Sequence, residues 1–540
     1  MDDGDHRPPP ADGTAKAAGE PRGGLDRRRF LGAAAAGAAG IATAATACDT
    51  GPGGPPTTAP RRDRTGAGET SAAAERAERD RPGDADWRIT SQGPPDAVEG
   101  YTDRTAVPPG GAFGLHVSTT APGFTVSAYR IGWYGGARAR LVWRSDRLPG
   151  RRAPAARFLP DTRTVRADWP RTTTVRTDGW PPGAYLLRLD ADHGHQRYIP
   201  LVVRSPSAEG RTVVMHAVAT WQAYNTWGGY DLYRGRDGSY GSRAYAVSFD
   251  RPYNADGAEK FLAYERALVV LAERLGIPLA YTTGLDVHRD PDALRGARAL
   301  LSLGHDEYWT PEQRQRVTGA RDAGTNLAFL GANCCYRRIR PEEGPPGELR
   351  TVVCYKTDYR RDPYLASHPR FPTNDFRQDP APDPESRLVG VLYEGFPVDA
   401  PYVVHSPDHW LFEGTGVRRG DRFDHLVGVE YDRVMTDMPT PRPLEILAHS
   451  PLVCRGRPSH ADSSYYTAPS GAGVFSSGTM RWVEGLMAGT TENGRNHAMD
   501  ARTGAFTTRT TENLLRAFAE GPAATVRPHP RDNVATLYPA

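Results

Sequence analysis

The chain has 540 residues, 38% hydrophobic and 24% charged, with Lys+Arg 67 against Asp+Glu 64 and a formal charge of +3. That is length for several domains and a composition suited to a globular body with a sizeable core. It argues against an integral membrane protein, because no apolar run is long enough to span a bilayer stably, and near-balanced charge gives no general electrostatic footprint for nucleic acid.

Residues 1–48 have the order of an export signal: Arg27-Arg28-Arg29-Phe30-Leu31, a weakly apolar Ala/Gly stretch from Leu31 to Ala47, then Cys48. A stretch this short and this poor in Leu, Ile and Phe is an address rather than a span. The Arg27-Arg28 pair resembles a twin-arginine signal, which makes the twin-arginine export machinery an expected partner. Cys48 after small residues resembles a lipid attachment site, so membrane contact is expected only through the signal or a lipid. The expected location is outside the cell or on its surface. Residues 49–86 are rich in Pro, Gly, Ala, Thr, Arg and Glu and read as a spacer with too little apolar surface to repay ordering.

From 87 to 206 short alternating runs punctuated by Pro, Gly and Asp predict a β-sandwich, with strands at Ala112–Ser118, Phe124–Ile131, Leu141–Arg144, Thr172–Thr177, Tyr185–Leu189 and Arg197–Val203. From 207 to 540 strands alternate with helices, which predicts a parallel sheet covered by helices. Its expected strands are Arg211–His216, Pro278–Thr282, Ala297–Leu303, Asn326–Gly331, Gly390–Tyr393 and Gly473–Ser477. Its expected helices are Glu259–Leu275 and Pro311–Ala323, the second capped by Thr310, and an insertion lies near 341–384. Besides Cys48 there are Cys334, Cys335, Cys354 and Cys454, which outside the cell allow three disulfide pairings. Since adjacent cysteines rarely bond to each other, Cys354 and Cys454 are the natural partners for Cys334 and Cys335. None has zinc-ligand spacing.

In an open parallel sheet, ligands sit beyond the carboxyl ends of the strands. Three strands deliver polar residues there: one leads to Tyr224 and Asn225, one to His305, Asp306 and Glu307, and one to Asn333. Each has a structural explanation as well, Glu307 as a helix cap, His305 as a backbone-bonded histidine, Asn333 as a left-handed turn and Tyr224 as aromatic packing. Their convergence on one edge favours a site. His405 and His409, separated by four residues with Pro407 between them, read as structural.

WQAYNTWGGYDLY at Trp221–Tyr233, LGHDEYWTPEQR at Leu303–Arg314, GTNLAFLGAN at Gly324–Asn333 and YRIGWYGGARARLV at Tyr129–Val142 resemble the large (beta) subunit of N,N-dimethylformamidase and its relatives, from about Trp87 onward. The resemblance implies a β-sandwich joined to an α/β domain like the class I glutamine amidotransferases. It also implies a mononuclear iron held by two tyrosines and a glutamate, and hydrolysis of a small amide. Carried over, the ligands are Glu307, Tyr224 and Tyr185, with Tyr230 and Tyr233 as alternatives to Tyr185, and His305 and Asn333 lie beside them. The family's large subunit has a further N-terminal portion and a small partner subunit, which leaves substrate and assembly open here.

Phenolate and carboxylate are hard anionic oxygen donors that suit Fe3+. His305 could orient or deprotonate a water, and Asn333 could donate to a developing oxyanion. Two other readings remain. Cys334 could be the nucleophile of an amidotransferase-like elbow, although Asn333 and Tyr336 flank the Cys334-Cys335 pair where small residues are wanted. Alternatively, the chain could be a non-catalytic surface lipoprotein that binds a glycan or a protein.

Overall fold

The computed structural model describes residues 73–344, 347–490 and 497–539. The expected signal with Arg27, Arg28 and Cys48, and the spacer up to residue 72, lie outside the described residues. A short helix at 73–79 opens the described chain. Its Glu78 takes hydrogen bonds from Tyr134 Oη (2.6 Å) and from Arg140 Nε and Nη2 (2.8 and 2.9 Å). The end of the expected spacer is therefore fastened to the body.

Two sheets follow. Val98–Thr102, Ala112–Thr119 and Thr173–Arg176 form an antiparallel three-stranded sheet. The second runs Ala106–Val107, Gln196–Val203, Gly183–Ala191, Gly123–Ile131, Ala139–Arg144, antiparallel except for its first short pair. Every second residue of their strands enters one cluster, with Phe113, Leu115 and Val117 from the first sheet against Val126, Leu187, Leu189 and Leu201 from the second. Period-two burial is what the alternating sequence required.

The next sheet is mixed. Its order is Leu279–Thr283, Thr212–His216, Ala299–Gly304, Asn326–Gly331, Gly473–Ser476, Arg457–Thr467, Leu444–Cys454. The first five strands are parallel and the last two join antiparallel, as a hairpin. Successive residues of the parallel strands feed different cores. Val214, Leu301, Leu303, Ala328 and Leu330 pack with Leu268, Leu271, Leu514 and Phe518, whereas Val213, Met215, Leu300, Leu327 and Phe329 pack with Val287 and Val317. Both faces are covered, so these strands read as continuous apolar runs.

Three expectations are corrected. The helix at 259–275 is two, Glu259–Tyr264 and Arg266–Leu275, broken where Glu265 takes φ −131°. The strand expected at Gly390–Tyr393 is Leu392–Val403, paired with Arg422–Arg433 in a two-stranded ribbon. The cysteines Cys334, Cys335, Cys354 and Cys454 are all free. The first three are buried, with Cys335 Sγ against Arg314 Nη1 (3.0 Å) and Cys354 Sγ against the carbonyls of Arg338 and Thr373 (both 3.7 Å). Thr310 caps Pro311–Asp322 as expected, its hydroxyl accepting from Gln313 N. No helix among the described residues is long and apolar enough to cross a membrane.

Candidate active site

The Thr212–His216 strand runs into a one-and-a-half-turn helix, Val218–Ala223, with Tyr224 at its C-terminal cap. The chain then loops back, and buried Arg251 holds that loop by donating to the carbonyls of Asn225 (2.9 Å), Trp227 (3.1 Å) and Tyr230 (2.8 Å). Asp231 Oδ1 accepts from the backbone of Tyr233 (2.7 Å) and Arg234 (2.8 Å), which fixes the turn that presents Tyr233.

The Ala299–Gly304 strand ends in a left-handed turn, Gly304 at φ +43°, before His305, Asp306 and Glu307. A Cβ on Gly304 would lie 2.5 Å from the Tyr264 carbonyl oxygen, and one on Gly331, its partner in the next strand, would collide with the Gly304 carbonyl. Glycine is therefore required at both strand ends. Thr220 Oγ1 accepts from Glu307 N (3.1 Å) and Tyr308 N (3.2 Å), tying the Tyr224 helix to the Glu307 turn.

These constraints bring two phenols onto one carboxylate. Tyr224 Oη donates to Glu307 Oε2 (2.6 Å), Tyr233 Oη reaches Oε1 (2.6 Å) and Oε2 (2.9 Å), and the two hydroxyls are 2.8 Å apart. Their rings stack with centroids 4.5 Å apart. His305 Nε2 lies 3.4 Å from Glu307 Oε2 and 3.9 Å from Glu430 Oε2. Asn333, left-handed at φ +59°, donates its side chain to Glu430 Oε2 (2.8 Å) and its backbone N–H to Asp432 Oδ1 (2.8 Å). Arg337 Nε lies 3.3 Å from Glu307 Oε1.

Tyr224, Glu307, His305 and Asn333 thus meet as the sequence suggests, and the second tyrosine on Glu307 is Tyr233. Tyr185 sits in the core between the two antiparallel sheets, stacked on Trp180 at 5.2 Å, its hydroxyl donating to Pro181 O at 2.7 Å. Tyr230 packs its ring on Phe158 at 4.9 Å. Cys334 is buried, and burial pushes its thiol well above the usual range, which disfavours the thiolate that a nucleophile needs. His409 caps the Trp410–Phe412 turn, in keeping with a structural role.

Sequence reasoning missed Glu430, Arg337 and Lys356. Lys356 Nζ is 3.1 Å from the Tyr233 ring centroid, and Lys260 Nζ is 5.1 Å from that of Tyr224. Lys16, Lys260 and Lys356 are the only lysines in the chain, so both of those beyond the N-terminal segment lie at this centre. In so arginine-rich a protein, that rarity was the available signal.

The charges differ sharply. Burial opposes ionisation of Glu307, but His305, Arg337 and Lys356 outweigh it and pull the carboxyl down to about 2. Burial, reinforced by the Glu307 charge, lifts Glu430 to about 8, and burial alone dominates in lifting Asp432 to about 7. Burial lowers His305 despite Glu307, leaving a neutral imidazole, and it holds Tyr224 and Tyr233 well above the usual phenol range, with Glu307 adding to the effect. At neutral pH the centre is one carboxylate accepting from two neutral phenols, beside a neutral histidine and a protonated acid.

Among the described residues no three of His, Cys, Asp and Glu are grouped to hold a metal ion. Any ion here would depend on phenol donors. Two phenol oxygens and a carboxylate, 2.6–2.9 Å apart, make a compact set of hard oxygen donors and fit a trivalent ion such as Fe3+.

A buried tyrosine–carboxylate centre at the carboxyl ends of parallel strands defines the class: a mixed α/β protein with an enzyme-like site. The chain belongs to the N,N-dimethylformamidase beta subunit-like, C-terminal family, whose model matches residues 125–497. That family is named after an amidase, which suggests hydrolase-like function. No curated protein matches the chain.

Proposed function

We propose that this protein is an exported hydrolase of small carboxamides, with Tyr224, Tyr233 and Glu307 as the ligands of a ferric ion. The observation that carries the reading is the delivery of both phenols to one buried carboxylate beside His305 and Glu430. A ferric ion held there would polarise an amide carbonyl and acidify a water. Neutral His305 is in a state to accept the proton of that water. Glu430, oriented by Asn333 and 3.9 Å from His305, lies where in its protonated form it would supply a proton to the departing amine. Burial of Glu307 and Glu430 keeps bulk water from screening these transfers. The amidotransferase-like reading of the mixed sheet and the export of the chain through Arg27 and Arg28 belong to the same proposal.

The test is iron content and amine release from formamide, N-methylformamide and N,N-dimethylformamide. Parent protein should carry iron and release amine. Glu430→Gln should keep iron and slow release about 100- to 10,000-fold, the usual range for one acid–base group. Parent protein that carries no iron after expression in iron-replete medium, or that carries iron and hydrolyses no small amide, would overturn the reading.

A further inference from the structure

The break in the helix after Tyr264 has no counterpart in the hydrophobic pattern. It places Glu265, fully buried, where a continuous helix would have kept its regular φ/ψ. Its carboxylate faces the turn between the Thr212–His216 strand and the Tyr224 helix. Oε1 accepts from Trp221 Nε1 (2.7 Å) and from Ala217 N (3.2 Å), and Oε2 lies 2.6 Å from His216 Nδ1. Ala217 is the N-terminal cap residue of the helix that ends at Tyr224, and its own side chain caps nothing. Glu265 thus satisfies the cap residue's own N–H, one of the orphan donors at this helix start.

The same break shapes the other half of the centre. Tyr264 packs its backbone so closely on Gly304 that no Cβ fits there, and its ring meets His305 edge-on at 5.8 Å. One residue therefore touches the element that carries Tyr224, and its neighbour touches the turn that carries His305 and Glu307.

We infer that Glu265 is a positioning residue that sets Tyr224 against Glu307. It touches no reacting group and acts through Trp221, Ala217 and His216. Two bonds to the short helix, at Ala217 and Trp221, and one to His216 at the end of the strand before it fix the helix against that strand, and Thr220 then meets the Glu307 turn in register. A buried carboxylate is kept here because an apolar side chain of equal size would leave the Trp221 and Ala217 donors unanswered. The effect on turnover rests on the proposed hydrolase reading, while the effect on geometry does not.

The experiment compares Glu265→Ala, Glu265→Gln and Trp221→Phe in the full chain. Glutamine keeps Oε1 as acceptor for Trp221 and Ala217, and its amide donates to His216 Nδ1 once that ring carries its proton on Nε2, so it should rescue. For Glu265→Ala the expected result is a ferric charge-transfer band that shifts or weakens, with kcat down about 100-fold, the scale for a displacement of about 1 Å, and KM little changed. Glu265→Gln should stay within about tenfold of the parent. If Glu265→Ala does not fold, Trp221→Phe removes a single donor and should show the same spectral shift more weakly. A folded Glu265→Ala, or Trp221→Phe in its place, with the parent's spectrum and kcat overturns the inference. If the parent itself shows neither band nor hydrolysis, the hydrolase reading fails, and the geometry is then read from a crystal structure of the variant. Retention of the 2.6 Å approach of Tyr224 Oη to Glu307 Oε2 would overturn the inference, and its loss would support it.

Discussion

Thr220 and Glu307, 87 residues apart in sequence, are joined by a hydrogen bond from the Glu307 N–H to the Thr220 hydroxyl at 3.1 Å. The same oxygen takes the Tyr308 N–H at 3.2 Å. Thr220→Val keeps the shape and strands both buried donors, so it should cost about 1–3 kcal/mol for each in a denaturant melt. Thr220→Ser should recover most of it. A Val variant as stable as the parent would show that water or another acceptor serves these donors.

Tyr233 and Tyr185 should separate cleanly. Tyr233→Phe should lower ferric affinity by at least about tenfold and shift the phenolate-to-iron band, because it removes one of the three proposed ligand oxygens. Tyr185→Phe should leave both unchanged and act only on the core between the antiparallel sheets. Titration of apo-protein with chelated ferric iron, followed in the visible, measures both.

Metal uptake should release protons. Tyr224 and Tyr233 are held neutral well above the ordinary phenol range, so binding as phenolates must expel two protons. Apparent ferric affinity should therefore rise with pH, by up to about 100-fold per unit near neutrality once the chelator's own titration is removed. An affinity independent of pH would mean that the phenols do not ligate as anions.

Stability should respond to Asp432 with a definite sign. Its folded value is raised to about 7, so between about pH 4 and 7 the folded state keeps a proton that the unfolded state releases. This contribution is full below pH 4 and disappears as pH rises through 7, at roughly 1.4 kcal/mol per unit. Asp432→Asn, which can still accept from Asn333, should lack that slope. The comparison is urea melts of the two proteins across this range.

Thiol reactivity should follow burial. Burial raises Cys335 to about 12 and Cys354 to about 11, and it also raises Cys334 well above the usual thiol range. Iodoacetamide at neutral pH should label half-exposed Cys454 and spare the other three in folded protein, and Cys334→Ser should retain amide hydrolysis. Early labelling of Cys334 would reopen the thiol mechanism.

The parallel strands were legible because burial on two faces leaves runs such as Asn326–Gly331 almost wholly apolar. Arg422–Arg433 was not, because it carries two acids into the interior: Glu430 and Asp432 sit two residues apart, on one face, and both meet Asn333. A strand that feeds a site breaks the alternation that would reveal it. Ala501–Glu520 was hidden by its threonines, which are poor helix formers. Thr507 and Thr511 bond back to the carbonyls four residues earlier, and Thr511 takes the Trp482 indole N–H, so packing overrides propensity. For the centre, strand ends could be read from the sequence but loop paths could not. Tyr233 reaches Glu307 because Arg251 and Asp231 fold its loop back; the Asp231 turn is local, but the Arg251 bonds span 21 or more residues and have no local signature.

The paired glycines at 304 and 331 limit how this protein could be re-engineered. Where His305 and Asn333 emerge, the two strands approach so closely that main chain alone fills the space. A gene library randomised at these codons should return glycine among folded clones, whatever substrate is used for selection. Diversification aimed at new amides would have to begin on the side chains around the centre, such as Tyr336 and Tyr393, whose rings lie 5.1 Å apart and remain partly open to solvent.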